Sequence, residues 1–339
     1  MSDPKQNKDF LEFMDGELAR LWRLGGNAII GWSALRGGIA VLSVPQFLLP
    51  NVLPNYENIL VGSRKMRKSK LQAVSDICEI EPYTIKFPAS SETINIPWKS
   101  LDKLIRRYSI IKTNDKAVIL FDIVHFSRYT ALEQVTALNS LSYSINIAQR
   151  RAKENGLDIV VSRSTTGDGF YIWNEKKGLE ANLDLYCLMM LVLADNALSS
   201  QKSSKNIVPG LRTCFHVGSC YEYYQASGER LSADHFIVGD VTIALARMID
   251  RALAGQILIG NFHNFIDDEN DPLSTVQFMN HAKQHFTVFE NITLSREKIT
   301  TIKCYLTGEQ TEGEEFNITR YVIRDKHDYK HVVFNTKAY

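Results

Sequence analysis

Apolar and polar positions follow two regimes along the chain. The first hundred or so residues mix short apolar pieces with Pro, Ser and Asn clusters, as in Phe87–Pro97, and a basic helix is predicted from Ser100 to Ile110. After Lys112 the pattern becomes regular. Lys116–Ile123 is a continuous apolar run of strand length, which predicts a buried central strand. Ala131–Ala152 repeats Leu138, Leu141, Ile145 and Ala148 at helical spacing. Leu157–Ser164 and Phe170–Trp173 read as strands joined tightly through Thr166-Gly167-Asp168-Gly169. Leu179–Leu198 is apolar nearly all round, hence a buried helix, and Ser199–Asn206 reads as a loop. Strands at Leu211–His216 and Cys220–Tyr224, a helix at Asp240–Leu253 and a strand at Gln256–Ile259 follow. The order β-α-β-β-α-β-β-α-β predicts an α+β sheet with helices packed on it. The tail adds a helix at Ser274–Phe286 and two strands around the turn Asp325–Asp328. The chain therefore divides into a smaller, mainly helical N-terminal region, 1–111, and a larger domain, 112–339.

The segment 25–53 is nearly all apolar, with Arg36 its only charge. The uncharged run Gly37–Tyr56 has the length of a membrane span, but Gly37, Gly38, Pro45, Pro50 and Pro54 would break a spanning helix repeatedly. A buried hairpin or partner-facing surface is the favoured expectation, with peripheral membrane association as the alternative. The basic run 64–70 (Arg64, Lys65, Arg67, Lys68, Lys70) reads as a solvated loop or as a contact for anionic lipid or another phosphate-rich partner.

Composition narrows the class. A chain of 339 residues, 45% hydrophobic and 23% charged, excludes disulfide-scaffold, collagen-like and disordered classes. Its 39 basic and 38 acidic residues leave a net charge of +1, which argues against holding a long nucleic acid by bulk electrostatics. The 5 cysteines are odd in number, scattered and without a CxxC pair, as expected of a reducing compartment without a structural zinc site. The polar N-terminus MSDPKQNKDF does not read as a secretory leader, so a cytoplasmic location is expected.

Chemistry concentrates on a few residues. Asp122 interrupts an apolar strand at its carboxyl end, where a carboxylate is costly unless paired, capping or bound to a cation. The backbone after it, with Ser127, offers donors for a phosphate at the start of the next helix. Asp168, in an Asp-Gly turn that needs no function of its own, gains meaning if the hairpin flanks the first strand and brings it beside Asp122. Two carboxylates at adjacent strand ends suit hard divalent cations that bridge phosphates. Arg247, inside the helix opened by Gly239, reads either as a solubilising residue or as a fixed guanidinium for a pentavalent phosphorane.

The motifs FDIVHFS (Phe121–Ser127), TTGDGFYIW (Thr165–Trp173), HVGSC (His216–Cys220), GDVTIALARM (Gly239–Met248) and GQILI (Gly255–Ile259), in this order, resemble the class III nucleotidyl cyclase catalytic domain. The family patterns are F-x-D-I-x-G-F-T, G-D-x, H-x-G and G-x-x-V-N-x-x-x-R. The resemblance spans about Lys112 to Gly260 and implies a ferredoxin-like, palm-type sheet. It further implies a head-to-tail homodimer with composite active sites, and two Mg²⁺ or Mn²⁺ ions held by Asp122, Asp168 and the backbone of Ile123. The backbone of His125, Phe126 and Ser127 matches the phosphate-holding turn, and Arg247 the transition-state arginine supplied by the partner. Lys326 and Lys330 are candidates for a lysine that contacts the triphosphate. The implied reaction is attack of the ribose 3′-oxygen on the α-phosphorus of a nucleoside triphosphate.

The departures shape the substrate expectation. The family's transition-state Asn is replaced here by Ile243, so its role is lost or moved, with Thr242 a candidate. The glycine of the first motif is His125. The purine-reading positions hold Ser164 and Phe236, which removes adenine discrimination and favours a smaller base. The layout also resembles the pyrimidine cyclases of bacterial antiphage Pycsar systems. That implies UTP, then CTP, as substrate, and cUMP or cCMP acting on a separate effector protein. An adenylate cyclase making cAMP and a catalytically inactive cyclase-homology module remain as alternatives.

Overall fold

Burial on both faces explains the apolar stretches of the chain around residues 27–45 and 116–123. The computed structural model describes residues 4–52, 57–88, 96–202, 208–227, 230–264, 272–286, 291–307 and 320–338. Residues 53–56, 89–95 and 203–206, which belong to segments considered above, lie outside the described residues. The chain forms two compact units, Met1–Asn114 with Tyr221–Ile237, and Asp115–Cys220 with Val238–Tyr339.

In the first unit, α1 (Pro4–Trp22) buries Phe10, Met14, Leu18 and Trp22, a four-residue spacing along one helix face. The apolar segment becomes the antiparallel pair β1 (Asn27–Leu35) and β2 (Gly38–Pro45), turning at Arg36-Gly37 where Gly37 has φ +72°. The short α2 (Leu49–Val52) and then α3 (Lys68–Cys78) follow; β3 (Tyr83–Lys86) completes a three-stranded sheet, and α4 (Trp98–Arg106) closes the region. Alternate side chains of β1 and β2 enter different clusters. Ile29, Trp32, Ile39 and Val41 pack with α1 and α4, whereas Ala28, Ile30, Leu42 and Val44 pack with Leu71, Val74 and Cys78 of α3. A strand pair covered on both sides needs apolar residues at every position, which accounts for the membrane-like composition. The mainly helical region is thus built around a three-stranded sheet with helices on its faces.

The basic run is divided. Arg64 is fully buried, with its Nη1 and Nη2 donating to the carbonyls of Ile30 and Gly62 at 3.4 Å each. Burial foremost, then the nearby Arg106 charge, lowers its pKa to about 10, with Asp102 opposing. Lys65 lies over the Trp32 and Trp98 rings at 5.4 and 5.2 Å. Lys65, Arg67, Lys68 and Lys70 are exposed, as expected of the run, but Lys68 and Lys70 lie in the first turn of α3 rather than in a loop.

The large sheet begins with β4 (Ile111–Ile123), buried from Lys116 to its end. Lys116 is tolerated there because its Nζ donates to the carbonyls of Asn174 (2.8 Å) and Lys176 (3.4 Å). Then come α5 (Ala131–Glu154), β5 (Val161–Thr165), β6 (Gly169–Asn174), α6 (Leu179–Lys202), β7 (Leu211–Ser227), β8 (Arg230–Val238), α7 (Asp240–Ile249) and β9 (Ile257–Gly260). Two small ladders, β10–β11 (His263–Asn264, Leu273–Ser274) and β12–β13 (Ile292–Leu294, Glu297–Ile299), flank α8 (Thr275–His285). The chain ends with β14 (Cys304–Thr307), β15 (Tyr321–Arg324) and β16 (Lys330–Ala338). The strand order is β14-β16-β9-β7-β4-β6-β5, with β8 beside β7 and β15 beside β16. This is the α+β sheet that the element order predicts.

Helix α6 is the one described helix long and apolar enough to cross a membrane, yet it lies in the core, where Tyr186 meets Phe215, Phe278 and Phe286 edge-on. Its last turn occupies part of the stretch expected as loop. The two strands expected at Leu211–His216 and Cys220–Tyr224 are one strand, β7. Gly218 does not turn the chain there; a Cβ on it would stand 3.3 Å from Cβ of Val241, so the glycine makes room for α7. The pairing of β8 with β7 was not expected from sequence.

Candidate active site

The ladder between β4 and β6 builds the centre of the site. Asp122 pairs with Gly169, and the Ile123 N–H donates to the Asp168 carbonyl at 2.9 Å. The two aspartates therefore meet at adjoining strand ends. The TGDG turn uses its glycines differently. Gly167 has φ +100°, a conformation L side chains rarely adopt, and a Cβ on Gly169 would overlap the Phe121 carbonyl oxygen. Thr166 closes the turn through its N–H to the Gly169 carbonyl (3.1 Å), and its hydroxyl donates to Asp168 Oδ1 (3.2 Å).

Asp122 is buried, and a residue that the sequence reading passed over compensates it. Arg212, near the start of β7, donates from Nε (2.8 Å) and Nη2 (2.6 Å) to Asp122 Oδ2. Burial pushes the Asp122 carboxyl above its ordinary value; Arg212 pulls it down through hydrogen bond and charge, and Asp168 beside it adds to the rise. The signal for Arg212 was the one used for Asp122: a charge set in an apolar strand (Leu-Arg-Thr-Cys-Phe).

A cleft of about 450 Å³ opens here, lined by Ile123, His125, Phe126, Ser127, Asp168 and Arg212, with Ala252–Ala254. His125 stands at φ +58°, ψ +26° ahead of a single 3₁₀ turn, Phe126–Arg128. That left-handed position is natural for glycine and open to histidine at some cost. The Val124 N–H goes to the Gly210 carbonyl and the Arg128 N–H to His125. The N–H groups of His125, Phe126 and Ser127 find no backbone acceptor among the described residues, so they remain available to an anion.

The donor set fits a hard divalent cation: two carboxylates with backbone carbonyl oxygen at the strand end. Among the described residues no group of three or more His, Cys, Asp or Glu side chains clusters as a metal site. A cation here would complete its shell with water and phosphate oxygens, as Mg²⁺ does at nucleotide sites.

The other candidates fall elsewhere. Arg247, in the last turn of α7, is not among the residues lining the cleft; its Nε stands 3.3 Å from Asp325 Oδ2 and its guanidinium 5.1 Å from the Tyr329 ring centroid. Ile243, one turn earlier, is 49% exposed. The Thr242 hydroxyl is committed to the start of the helix, donating to the Gly239 carbonyl (2.9 Å) and accepting from the Gly239 N–H (3.1 Å). Lys326 and Lys330 are exposed on the β15–β16 hairpin. Ser164 is half-buried opposite Tyr171 in the β5–β6 ladder, within the second unit. Phe236 belongs to the first unit, stacked on Tyr223 at 5.8 Å.

No family model matches the chain, and no curated protein matches it. Among solved structures it is similar to the guanylate cyclase domain of RhGC from Catenaria anguillulae in complex with GTP (14% identity, 67% of this chain and 98% of that one, TM-score 0.41). It is similar also to the adenylyl cyclase CyaB from P. aeruginosa (13% identity, 67% and 95%, TM-score 0.39). A third is the guanylyl cyclase Cya2 (12% identity, 66% and 92%, TM-score 0.38). At these identities and scores the likeness carries no information on activity, which has to be argued from the side chains.

Proposed function

We propose that this chain is a nucleotidyl cyclase, converting a nucleoside triphosphate into a 3′,5′-cyclic nucleotide and pyrophosphate. The observation that carries the reading is the meeting of Asp122 and Asp168 at adjoining strand ends, beside Arg212 and a turn with three unspent N–H groups.

In this reading Asp122, Asp168 and the Ile123 carbonyl hold two Mg²⁺ or Mn²⁺ ions. When bound, these lower the pKa of the ribose 3′-hydroxyl and neutralise charge on the leaving pyrophosphate. The N–H groups of His125, Phe126 and Ser127 hold phosphate oxygens. Arg212, replaced at Asp122 by a cation, turns its fork to the triphosphate. The 3′-oxygen forms its bond to the α-phosphorus as the bond to pyrophosphate breaks, and the hydroxyl proton leaves to solvent. Arg247 donates to the charge developing on the α-phosphoryl group. Because it does not line the cleft, a second copy of the chain supplies it, in a homodimer with composite sites.

The substrate is a pyrimidine nucleotide, UTP before CTP. Support comes from Ser164 and Phe236 at the positions that read purines in the resembled family. The product, cUMP or cCMP, would act in the bacterial cytoplasm on a separate effector during antiphage defence. Incubating the purified chain with Mn²⁺ and each of the four NTPs, beside Asp122→Ala, tests the proposal. Cyclic UMP or CMP from the wild type and none from the variant is expected. Dominant cyclic AMP would refute the pyrimidine assignment. No cyclic product from any NTP would leave the inactive module, the reading that the exposed Ile243 favours.

A further inference from the structure

The turn between β15 and β16 holds a carboxylate whose two oxygens do different things. Asp325 Oδ1 accepts the backbone N–H groups of His327 (2.8 Å) and Tyr329 (3.0 Å), which shapes the hairpin turn. Oδ2 receives side chains instead: His331 Nε2 at 3.1 Å and Arg247 Nε at 3.3 Å. The Asp325 side chain is 1% exposed and that of Arg247 37%. The anchor is thus buried while the anchored guanidinium reaches solvent.

We propose that Asp325 is a positioning residue for Arg247, binding its Nε from behind so that the terminal nitrogens present a fixed fork to the substrate. This rests on the cyclase reading above, in which Arg247 meets the α-phosphoryl group. An arginine on an exposed helix face is long and loses rotamer freedom when it docks. Here Nε is ion-paired with a buried carboxylate oxygen at 3.3 Å and the guanidinium lies over the Tyr329 ring at 5.1 Å, so position and plane are set before substrate arrives. Nη1 and Nη2 have no acceptor in any bond resolved among the described residues, and they remain for a phosphate. The anchor stays charged. Burial works against ionisation, yet the His331 hydrogen bond, the Tyr329 and His327 N–H groups and the Arg247 charge bring the Asp325 pKa down to about 2.

The division of labour between the oxygens makes the idea testable. Asp325→Asn keeps an oxygen for the two turn N–H groups and puts an amide where Oδ2 held Arg247. With full-length protein, Mn²⁺ and the triphosphate that the wild type cyclises, kcat is expected to fall roughly 10- to 50-fold with KM within about threefold. The melting temperature should stay close to that of the wild type. In an Arg247→Ala background the same substitution should cost nothing further, because Asp325 acts through Arg247. An unchanged or raised kcat in D325N overturns the proposal, since the contact would then be idle or would park the arginine away from substrate. Equal losses in the two backgrounds overturn it too. If D325N does not fold, Tyr329→Leu, at a position 60% exposed, serves instead: kcat several-fold lower supports the fixed fork and an unchanged kcat refutes it. A wild type that cyclises no NTP overturns the reading of the whole site, a result distinct from any of these.

Discussion

Replacing Arg212 by methionine keeps much of the side-chain volume and removes the charge that faces Asp122. The ion pair is close, 2.6 and 2.8 Å to one carboxylate oxygen, and Asp122 is 6% exposed with Asp168 beside it. Breaking a buried pair from one side costs about 3–5 kcal/mol. The Arg212 side chain is 30% exposed, so partial hydration brings the expected loss to about 2–4 kcal/mol at neutral pH. A ceiling exists, because Asp122 can fold protonated. That costs 1.36 kcal/mol for each pH unit above an unfolded value near 3.9, or about 5 kcal/mol around pH 7.5 and about 1.5 kcal/mol around pH 5. The sign follows. In the variant the folded pKa of Asp122 lies further above its unfolded value, the native state binds more protons, and stability rises as pH falls. Urea denaturation with a chelator present, over the range from about pH 5 to pH 8, should show the gap between variant and wild type closing towards acid. Mn²⁺ at about a hundred times its Kd should restore roughly 2.7 kcal/mol to the variant by taking the place of the guanidinium. A loss independent of pH would refute the claim that Arg212 stabilises mainly by compensating a buried carboxylate.

Two further expectations concern the frame of the molecule. Gly169→Ala should cost about 3 kcal/mol, because the new Cβ meets the Phe121 carbonyl and the Asp122 Cα, backbone atoms that cannot step aside; activity should be lost with it, and a fully active, wild-type-stable variant would contradict the tight β4–β6 approach. Arg64→Ala should destabilise the first unit by about 2–4 kcal/mol by emptying a fully buried site and leaving the Ile30 and Gly62 carbonyls without their donors; denaturation that leaves its stability unchanged would place Arg64 among the solvated residues of its run.

The regular part of the chain was legible from sequence because its elements are long and one-sided in pattern. α5 and α6 repeat apolar residues at helical spacing or all round, and β4 is an uninterrupted apolar run, so period and length alone identify them. The Asp122–Asp168 pair was legible for a related reason. A carboxylate in such a strand needs a partner, and a tight hairpin can deliver one only from the neighbouring strand end. The split of β7 was not legible, because Gly218 within a strand looks the same whether it turns the chain or admits a neighbour, and only Val241, in the packed structure, distinguishes the two. The first unit was obscure for a different cause: strands buried on both faces lose the alternation that marks a strand.

Sequence by itself determined the long elements β4, α5 and α6 and which residues could not lie in an apolar strand without compensation, since those follow from local periodicity and the cost of burying charge. Tertiary structure decided which charge meets which. Arg212 reaches Asp122 across 90 positions of chain, and Asp325 reaches Arg247 from a hairpin near the C-terminus. Such pairs depend on strand order and register, which arise from how whole faces pack and leave no trace in the spacing of the residues involved.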